Sequence, residues 1–595
     1  MIEAARVEAL WQETRDYLLS LRSPEGYWEG YLSSSALATA TALTALSLAA
    51  DPSDGTLTGQ AAAWLARDQN DDGGWGDSPE SPSNLSTTLL CLSALTIAAT
   101  GDRGEASPPP ATATDRAWDY VAAHAGRSAA EIVAAVRRIY GSDRTFAAPI
   151  LMNCALAGLV PWRDVPSLPC ELAAVPQGWY RRLRLQVVSY ALPALITVGL
   201  AIDRHRPSPL TPLRRALTPQ LLEKLAAIQP ANGGFLEATP LTAFVAMSLI
   251  AAVGLDQPVA RKCLGFLRAS ARPDGSWPID TNLATWVTTG TVSALLAGEE
   301  PVVRTPLGEL LEPACRWVSR QQFAAVHPYT GAAPGGFAWT NLPGAVPDAD
   351  DTAGAVLMLS AAALRGAPVD DEVTARGVRW LLGLQNADGG WPTFCRGWGR
   401  LPFDQSCPDI TAHALRALAT WHHPQTPRAA AAVTAGWSYL QRTQRPDGSW
   451  LPLWFGNQRA PGQGNPVLGT ARVLLAMASE EAGAMLARGA AYLRQAQNSD
   501  GGWGGDRGVP SSVEETALAM SALAQASIVW PAARLDQVLA RGLRYLERRI
   551  ADGTWTEPAP IGLYFASLWY SERLYPVIWT VEALGRLRTA LRVEA

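Results

Sequence analysis

At 595 residues the chain is longer than one ordinary hydrophobic core can serve, so its length predicts at least two domains. A composition of 48% hydrophobic and 17% charged residues, with 49 basic against 54 acidic side chains and a net charge of −5, is that of a globular protein and excludes the electrostatic footprint of nucleic-acid binding. Tryptophan (23) outnumbers both tyrosine (14) and phenylalanine (10), a reversal that requires a cause.

In chain order, the acidic opening MIEAARVEAL carries no signal-peptide features. The seven cysteines at 91, 154, 170, 263, 315, 395 and 407 form no CxxC pair, and together these features predict a reducing cytosol. Only Lys224 and Lys262 are lysines, so a phosphate clamp would rest on arginine. A repeat then accounts for the tryptophans. Its copies end at Trp28 (YLLSLRSPEGYW), Trp75 (AAAWLARDQNDDGGW), Phe235 (LLEKLAAIQPANGGF), Trp277 (GFLRASARPDGSW), Trp391 (RGVRWLLGLQNADGGW), Trp450 (AGWSYLQRTQRPDGSW), Trp503 (RGAAYLRQAQNSDGGW) and Trp555 (RGLRYLERRIADGTW). The last four tryptophans fall 59, 53 and 52 residues apart.

Each copy predicts an apolar-faced helix stopped by an Asp-Gly or Asn-Gly turn. Its Gln can bond free backbone groups, and the Trp can lie over that amide. Second helices rich in Ala and Leu run between copies, as at Ala471–Glu481 and Ser511–Ser527. Two helices per period of roughly 50 residues predict α-hairpins around a closed ring, an all-α α/α barrel. No sustained period-two run supports a sheet. Catalysis needs no eight copies of one unit, so the repeats read as scaffold.

Two stretches interrupt the pattern, and an acidic patch lies inside it. The acidic patch Asp68, Asp71, Asp72 and Asp77 lies within a repeat turn and reads as turn chemistry, and GEASPPPATA (Gly104–Ala113) reads as a surface loop. Pro161–Arg204 holds an apolar run of about 16 residues, Val187–Ile202, with Pro193 inside. That is short of the ~20 residues a spanning helix needs. It predicts either a buried helix or shallow insertion into one leaflet, with Trp179, Tyr180, Arg181 and Arg182 at the interface.

The chemistry concentrates in PDADDTAGAVLMLSAAAL (Pro347–Leu364). One carboxylate suffices to cap a helix, yet Asp348, Asp350 and Asp351 crowd this helix start. Like charges so close cannot all ionise cheaply, so one carboxyl keeps its proton beside an apolar chamber and can donate it. In SCPDITAHAL (Ser406–Leu415), Asp409 and His413 stand at i, i+4. Either they form a local cap pair, or an imidazolium at His413, held by Asp409, supports the acid cluster. Zinc at Cys407, Asp404, Asp409 and His413 is disfavoured because no paired Cys/His spacing exists. There is no Gly-rich phosphate loop before a Lys and no nucleophilic serine elbow.

The repeated Gln…Gly-x-Trp units, the DxDDTA string at Asp348–Ala353 and the Asp-x-Thr-x-His string at Asp409–His413 together resemble the squalene-hopene cyclase family, the class II terpene cyclases, over nearly the whole chain. The resemblance implies two α-barrels, one inserted into the other. Residues 1–20 and 281–595 would form the catalytic barrel and 21–280 the inserted one, with Pro161–Arg204 as the membrane-facing segment. It implies Asp350 as the acid that protonates a terminal alkene, Asp348 and Asp351 in support, and His413 and Asp409 behind. Trp286, Trp339, Phe394 and Trp454 would line the cavity, where π faces stabilise a cation by roughly 0.5–2 kcal/mol per ring and offer no lone pair to trap it. No metal or organic cofactor is implied, because protonation replaces diphosphate ionisation. The expected setting is the cytoplasmic face of a membrane, as a monotopic protein with a homodimer as its candidate assembly.

The chain departs from the family pattern at several places. Gln186 stands where an aromatic is usual, and Val287 where an acidic residue follows the tryptophan. The loop between Phe394 and Asp409 is shortened. The C-terminal loop is APIGLYFASLWYSERLYP (Ala559–Pro576), in which Tyr564, Phe565, Trp569 and Tyr570 can compensate. Initiation therefore reads as intact, and squalene or a similar linear triterpene, cyclised to a hopene-type product, is the expected substrate. Alternatives are the same chemistry on a prenyl diphosphate or aryl-polyprene, zinc-dependent protein prenyl transfer, and a non-catalytic isoprenoid-binding barrel. Three aspartates beside an apolar wall cost stability unless used, which disfavours the last.

Overall fold

The computed structural model describes residues 2–594 except 101–110, 142–143, 181–188, 299–305, 395–403, 422–425, 478–482, 532–533 and 564–567. Most of the GEASPPPATA stretch, Arg181, Arg182, Gln186, Tyr564, Phe565 and most of the shortened loop after Phe394 therefore lie outside the described residues. The described chain is helical, with five strands of two or three residues each.

The repeats build their turns through one set of bonds. Six of the repeat indoles donate their N–H to the carbonyl ten residues earlier: Trp28 to Leu18, Trp75 to Leu65, Trp277 to Leu267, Trp391 to Leu381, Trp450 to Leu440 and Trp503 to Leu493, at 2.7–2.8 Å. That carbonyl is in the last turn of the outer helix, where helix geometry leaves acceptors free. Each Gln amide bridges two carbonyls, one four residues on and one in the next outer helix. Gln385, for example, donates to Gly389 O and Ala432 O, both at 2.8 Å. The turn glycine must be glycine. At Gly389 φ is +90°, and a Cβ would lie 2.4 Å from Ala435 O.

A third bond ties the turn inward. The backbone N–H of the repeat aromatic donates to a threonine hydroxyl on an inner helix, as Trp391 to Thr411, Trp450 to Thr470 and Trp503 to Thr516. Two such bonds close rings across the sequence. Trp28 N–H reaches Thr288 Oγ1 at 2.9 Å, and Trp277 N–H reaches Thr39 Oγ1 at 3.0 Å.

The result is two α/α barrels, one inserted into the other. Inner helices Ala36–Ala49, Leu85–Thr100, Arg144–Leu156, Leu192–His205 and Thr239–Val253 pack successively into one closed ring. Ala284–Ala297, Ala349–Ala363, Pro408–Thr420, Pro466–Ala476, Val513–Val529 and Tyr575–Glu594 form the other. Inner helices are apolar almost all round and rich in Ala and Thr, as crowding between an outer layer and a ring centre demands, whereas outer helices such as Asp536–Ala551 carry one apolar stripe. One buried core draws mainly on residues 36–277, the other on 7–32 and 279–590.

The apolar run of Pro161–Arg204 resolves as the inner helix Leu192–His205, with Leu192, Ile196, Val198 and Ile202 in the core and Pro193 in its first turn, where a missing N–H costs nothing. Among the described residues no helix is long and apolar enough to cross a membrane. Trp179 is exposed, but Tyr180, expected beside it at an interface, is buried and accepts a hydrogen bond from Lys224 Nζ. Asp77 also departs from turn chemistry. Fully buried, it accepts from Asn84, Thr87 and the backbone N–H of Trp569, so it anchors the C-terminal hairpin to the inserted barrel.

Trp503→Phe keeps the ring but deletes the indole donor, leaving a helix-terminal carbonyl unpaired. We expect a loss of about 1–3 kcal/mol, seen as a lower thermal midpoint by circular dichroism, and an unchanged midpoint would contradict the role given to the bond.

Candidate active site

The aspartate-rich string begins an inner helix, and its backbone is held from three sides. Asp348 N–H donates to Phe337 O at 3.0 Å, Ala349 N–H to Thr393 O at 2.7 Å, and Thr352 Oγ1 to Asp348 O at 2.5 Å. Capping and acidity divide among the three carboxylates. Asp348 is the cap, its Oδ1 accepting from Asp351 N–H at 2.8 Å, while the Asp348 and Asp351 carboxyls are buried against each other, a proton on Asp351 serving Asp348. Burial first, and the neighbouring carboxylates next, hold the Asp351 acid well above the ordinary carboxylate range, and burial raises Asp348 as well.

Asp350 points elsewhere. Its Oδ1 lies 2.6 Å from His413 Nδ1, across from the inner helix Pro408–Thr420. Gly354 lies beside the pair, where a Cβ would stand 3.1 Å from Thr289 Oγ1 and in ordinary contact, 3.5 Å, with His413 Cε1. The expectation that Asp409 holds His413 is corrected here. Asp409 instead accepts from the Cys407 thiol at 2.5 Å, and burial raises its acid to about 6. An i, i+4 spacing puts two side chains on one face but does not make them partners when a better one stands on the facing helix. The expected imidazolium is also opposed. Burial pulls the His413 pKa below its ordinary value, Asp350 pulls it back up, and the cations Arg416 and Arg472 lower it again. Among the described residues no group of three or more His, Cys, Asp or Glu is placed to hold a metal ion.

The three aspartates open onto a cavity of about 1900 Å³ of empty space, its open end included, lined by both barrels. Trp286, Trp339, Phe394 and Trp454 all line it. Phe394 is the hub, edge-on to Trp454 at 4.8 Å and to Trp339 at 6.1 Å between ring centroids. Trp286 stands edge-on to the His413 ring at 6.2 Å. Trp569 is corrected. In the strand Leu568–Tyr570 alternate side chains face opposite ways, so Leu568 and Tyr570 line the cavity while Trp569 is buried over Gly562. Gln186 and Tyr564 lie outside the described residues.

Several lining residues escaped sequence reading. Tyr190 packs on Phe394 at 4.3 Å, donates to Pro347 O at 3.1 Å and accepts at its own carbonyl from Tyr329 at 2.5 Å, so the inserted barrel grips the loop that presents the aspartates. Tyr570 and Tyr575 pair hydroxyl to hydroxyl at 3.3 Å on the cavity wall. Asp280, in the short segment after Trp277, also faces the cavity. The only sequence signal for it was an acidic residue in an otherwise apolar approach to a helix.

Comparison with known proteins followed the same outline. The family model of the squalene-hopene cyclase N-terminal domain matches residues 11–208, and that of the C-terminal domain matches 284–589. Enfumafungin synthase of Hormonema carpetanum is 25% identical over 94% of this chain and 46% of its own length, so the chain spans about half of that relative. A probable squalene–hopene cyclase of Sinorhizobium fredii is 25% identical over 99% of this chain and 97% of its own. The solved structure of ent-copalyl diphosphate synthase from Streptomyces platensis shares the fold, with a TM-score of 0.57 at 19% identity and 99% coverage of both chains.

The raised acid of Asp351 sets a pH dependence. Its folded value lies above the unfolded value near 4, so folding takes up a proton there and stability falls as pH rises from about 4 toward the folded value. Asp351→Asn cannot ionise. Its thermal midpoint is expected to exceed wild type at about pH 8 and to lose that advantage below about pH 4. A midpoint at about pH 8 that stays below wild type by as much as at about pH 4 would show that ionisation of the buried carboxyl costs no stability.

Proposed function

The chain belongs to the squalene-hopene cyclase family, the class II terpene cyclases, and on that premise we propose that it cyclises a linear isoprenoid, squalene first among them, to a polycyclic product of hopene type by protonating the terminal alkene. The observation that carries the reading is the Asp350–His413 pair at the wall of a long, aromatic cavity. Asp350 is the acid. His413 engages its Oδ1, which leaves the other oxygen to carry the proton toward the substrate, and the bond to His413 strengthens as charge grows on the carboxylate. Asp348 and Asp351, both biased toward the neutral form, limit the repulsion that Asp350 meets.

When the terminal π bond takes the proton, its electron pair forms the new C–H bond and a tertiary cation remains. The next alkene attacks that cation, and the charge moves along the chain past Trp286, Trp339, Phe394 and Trp454. Among the described lining residues there is no lysine or arginine, which supports a hydrocarbon over a diphosphate-bearing substrate. The same reading assigns the acid to a catalytic barrel of residues 1–20 and 281–595 and the inserted barrel to 21–280; two separate buried cores support the insertion, although Trp28, Leu32 and Ile279 pack in the core of the catalytic barrel. A substrate of this polarity resides in a bilayer, so we also propose a monotopic protein at the cytoplasmic membrane face. The exposed Trp179, Leu210, Leu213, Val253 and Leu255 of the inserted barrel support this.

Two measurements test the proposal. Squalene in mild detergent with EDTA is expected to give a cyclic product by gas chromatography–mass spectrometry, and Asp350→Asn is expected to lower its formation by at least about 10²–10⁴-fold with the fold intact. A full-rate Asp350→Asn enzyme would remove the acid assignment. Absence of product from squalene, with turnover of farnesyl diphosphate and Mg²⁺, would move the substrate to the diphosphate class. In the second, wild-type protein is expected to co-sediment with phospholipid vesicles, and the double change Trp179→Ser, Leu213→Glu to weaken that by about tenfold or more. Equal sedimentation would discard these residues as the contact.

A further inference from the structure

The cavity carries a fourth carboxylate on a different segment from the aspartate trio. Asp280 sits between Trp277 and the helix Ala284–Ala297, its backbone bridged to Ala238. Its side chain lines the cavity, makes no hydrogen bond among the described residues, and has its Oδ1 buried without a partner. Donors are not scarce nearby. Glu237, one residue before Ala238, accepts from Asn232 Nδ2 at 2.7 Å, Gly344 N–H at 2.6 Å and Thr281 Oγ1 at 3.3 Å. One carboxylate of the pair is thus saturated and the other left bare. The ledge beneath them is strained, with Leu236 and Glu237 both left-handed at φ 58° and 56°, and the Leu236 side chain also lines the cavity. Strain of this kind, and a bare buried carboxylate, persist where surrounding structure enforces them, and they cluster at working sites.

We propose that Asp280 is the base that ends the cyclisation, taking a proton from the carbon next to the last cation. The C–H bond breaks, its electron pair becomes the new C=C bond, and the proton passes to the Asp280 carboxylate. Asp350 has given one proton and Asp280 has received one, so the product is an isomer of the substrate. Asp280 passes its proton to water as the product leaves. The inference rests on the reading of Asp350 as initiating acid. Its placement fits the task. Asp280 shares the wall with Ile279, Leu283 and Trp286, where little water competes for the cation. Burial first, and Glu237 next, raise its acid to about 7, which leaves a large fraction ionised near neutral pH and still basic enough to accept a proton.

The test compares wild type, Asp280→Asn and Asp280→Glu in D₂O with squalene, and with farnesyl diphosphate plus Mg²⁺, reading products by mass spectrometry. In Asp280→Asn the products still formed are expected to retain one deuterium from initiation, while the wild-type alkene falls at least about tenfold against other cyclic alkenes or alcohols. Unchanged product ratios, or loss of deuterium uptake at a native thermal midpoint, would overturn the assignment. If Asp280→Asn does not fold, Asp280→Glu decides. A carboxylate displaced by one methylene is expected to change the ratio of double-bond isomers by at least about threefold, and an unchanged ratio overturns the proposal. Wild type inert toward both substrates would remove the cyclase reading and this inference together, whereas an altered Asp280 variant beside an active wild type separates the two.

Discussion

A single indole N–H, donated to a helix carbonyl ten residues earlier, is the interaction on which the rest of the molecule depends. It occurs six times among the described residues with nearly the same length. Each instance fixes the end of an outer helix against the turn that leads inward, and a threonine on the inner helix then takes the tryptophan's own backbone N–H. Because the indole bond takes a carbonyl that the helix end leaves unsatisfied, the repeats stabilise the structure at places where water would otherwise have to enter. The ring centres remain free of that duty.

That rigidity permits the electrostatics of the site. Asp348 and Asp351 are buried side by side, an arrangement that costs free energy unless a proton is held between them. Asp350 differs from its neighbours only in what it faces, an imidazole at 2.6 Å instead of a helix N-terminus. Three identical side chains within four positions therefore have three different environments: a cap, a neutral buried acid, and an acid paired to a histidine and open to the cavity. The difference arises from helix geometry, which turns successive residues about 100° apart.

The two barrels are coupled at the site as well as in sequence. Tyr190 reaches from the inserted barrel to Pro347 O, immediately before the aspartates, and Tyr329 clasps Tyr190 in turn. On the opposite side Asp77 of the inserted barrel holds the backbone of Trp569, whose strand neighbours Leu568 and Tyr570 line the cavity. The cavity is thus walled jointly, and the carboxylates of Asp350 and Asp280 reach it from separate segments of the chain.

Much of this was legible in the residues alone. The Gln…Gly-x-Trp units are local: helix, turn and aromatic fall within about 15 residues, so their spacing predicts the hairpins and the rings they build. The aspartate string was legible as an unusual density of charge at a helix start and His413 by its place one turn after Asp409, while the four aromatics came from the family resemblance. Partnership was not legible. Asp409 and His413 share a helix face, yet His413 bonds to Asp350 sixty-three residues away, because ring closure brings two inner helices side by side. Trp569 was misplaced because a three-residue strand offers no period from which to read its inward face. Tyr190, Asp77 and Asp280 act only where the barrels meet, and contacts across that meeting leave no periodic mark in either sequence. Local spacing determined the elements and the acid-bearing string, and tertiary closure alone decided which charges face one another, since burial and distance are properties of the assembled rings.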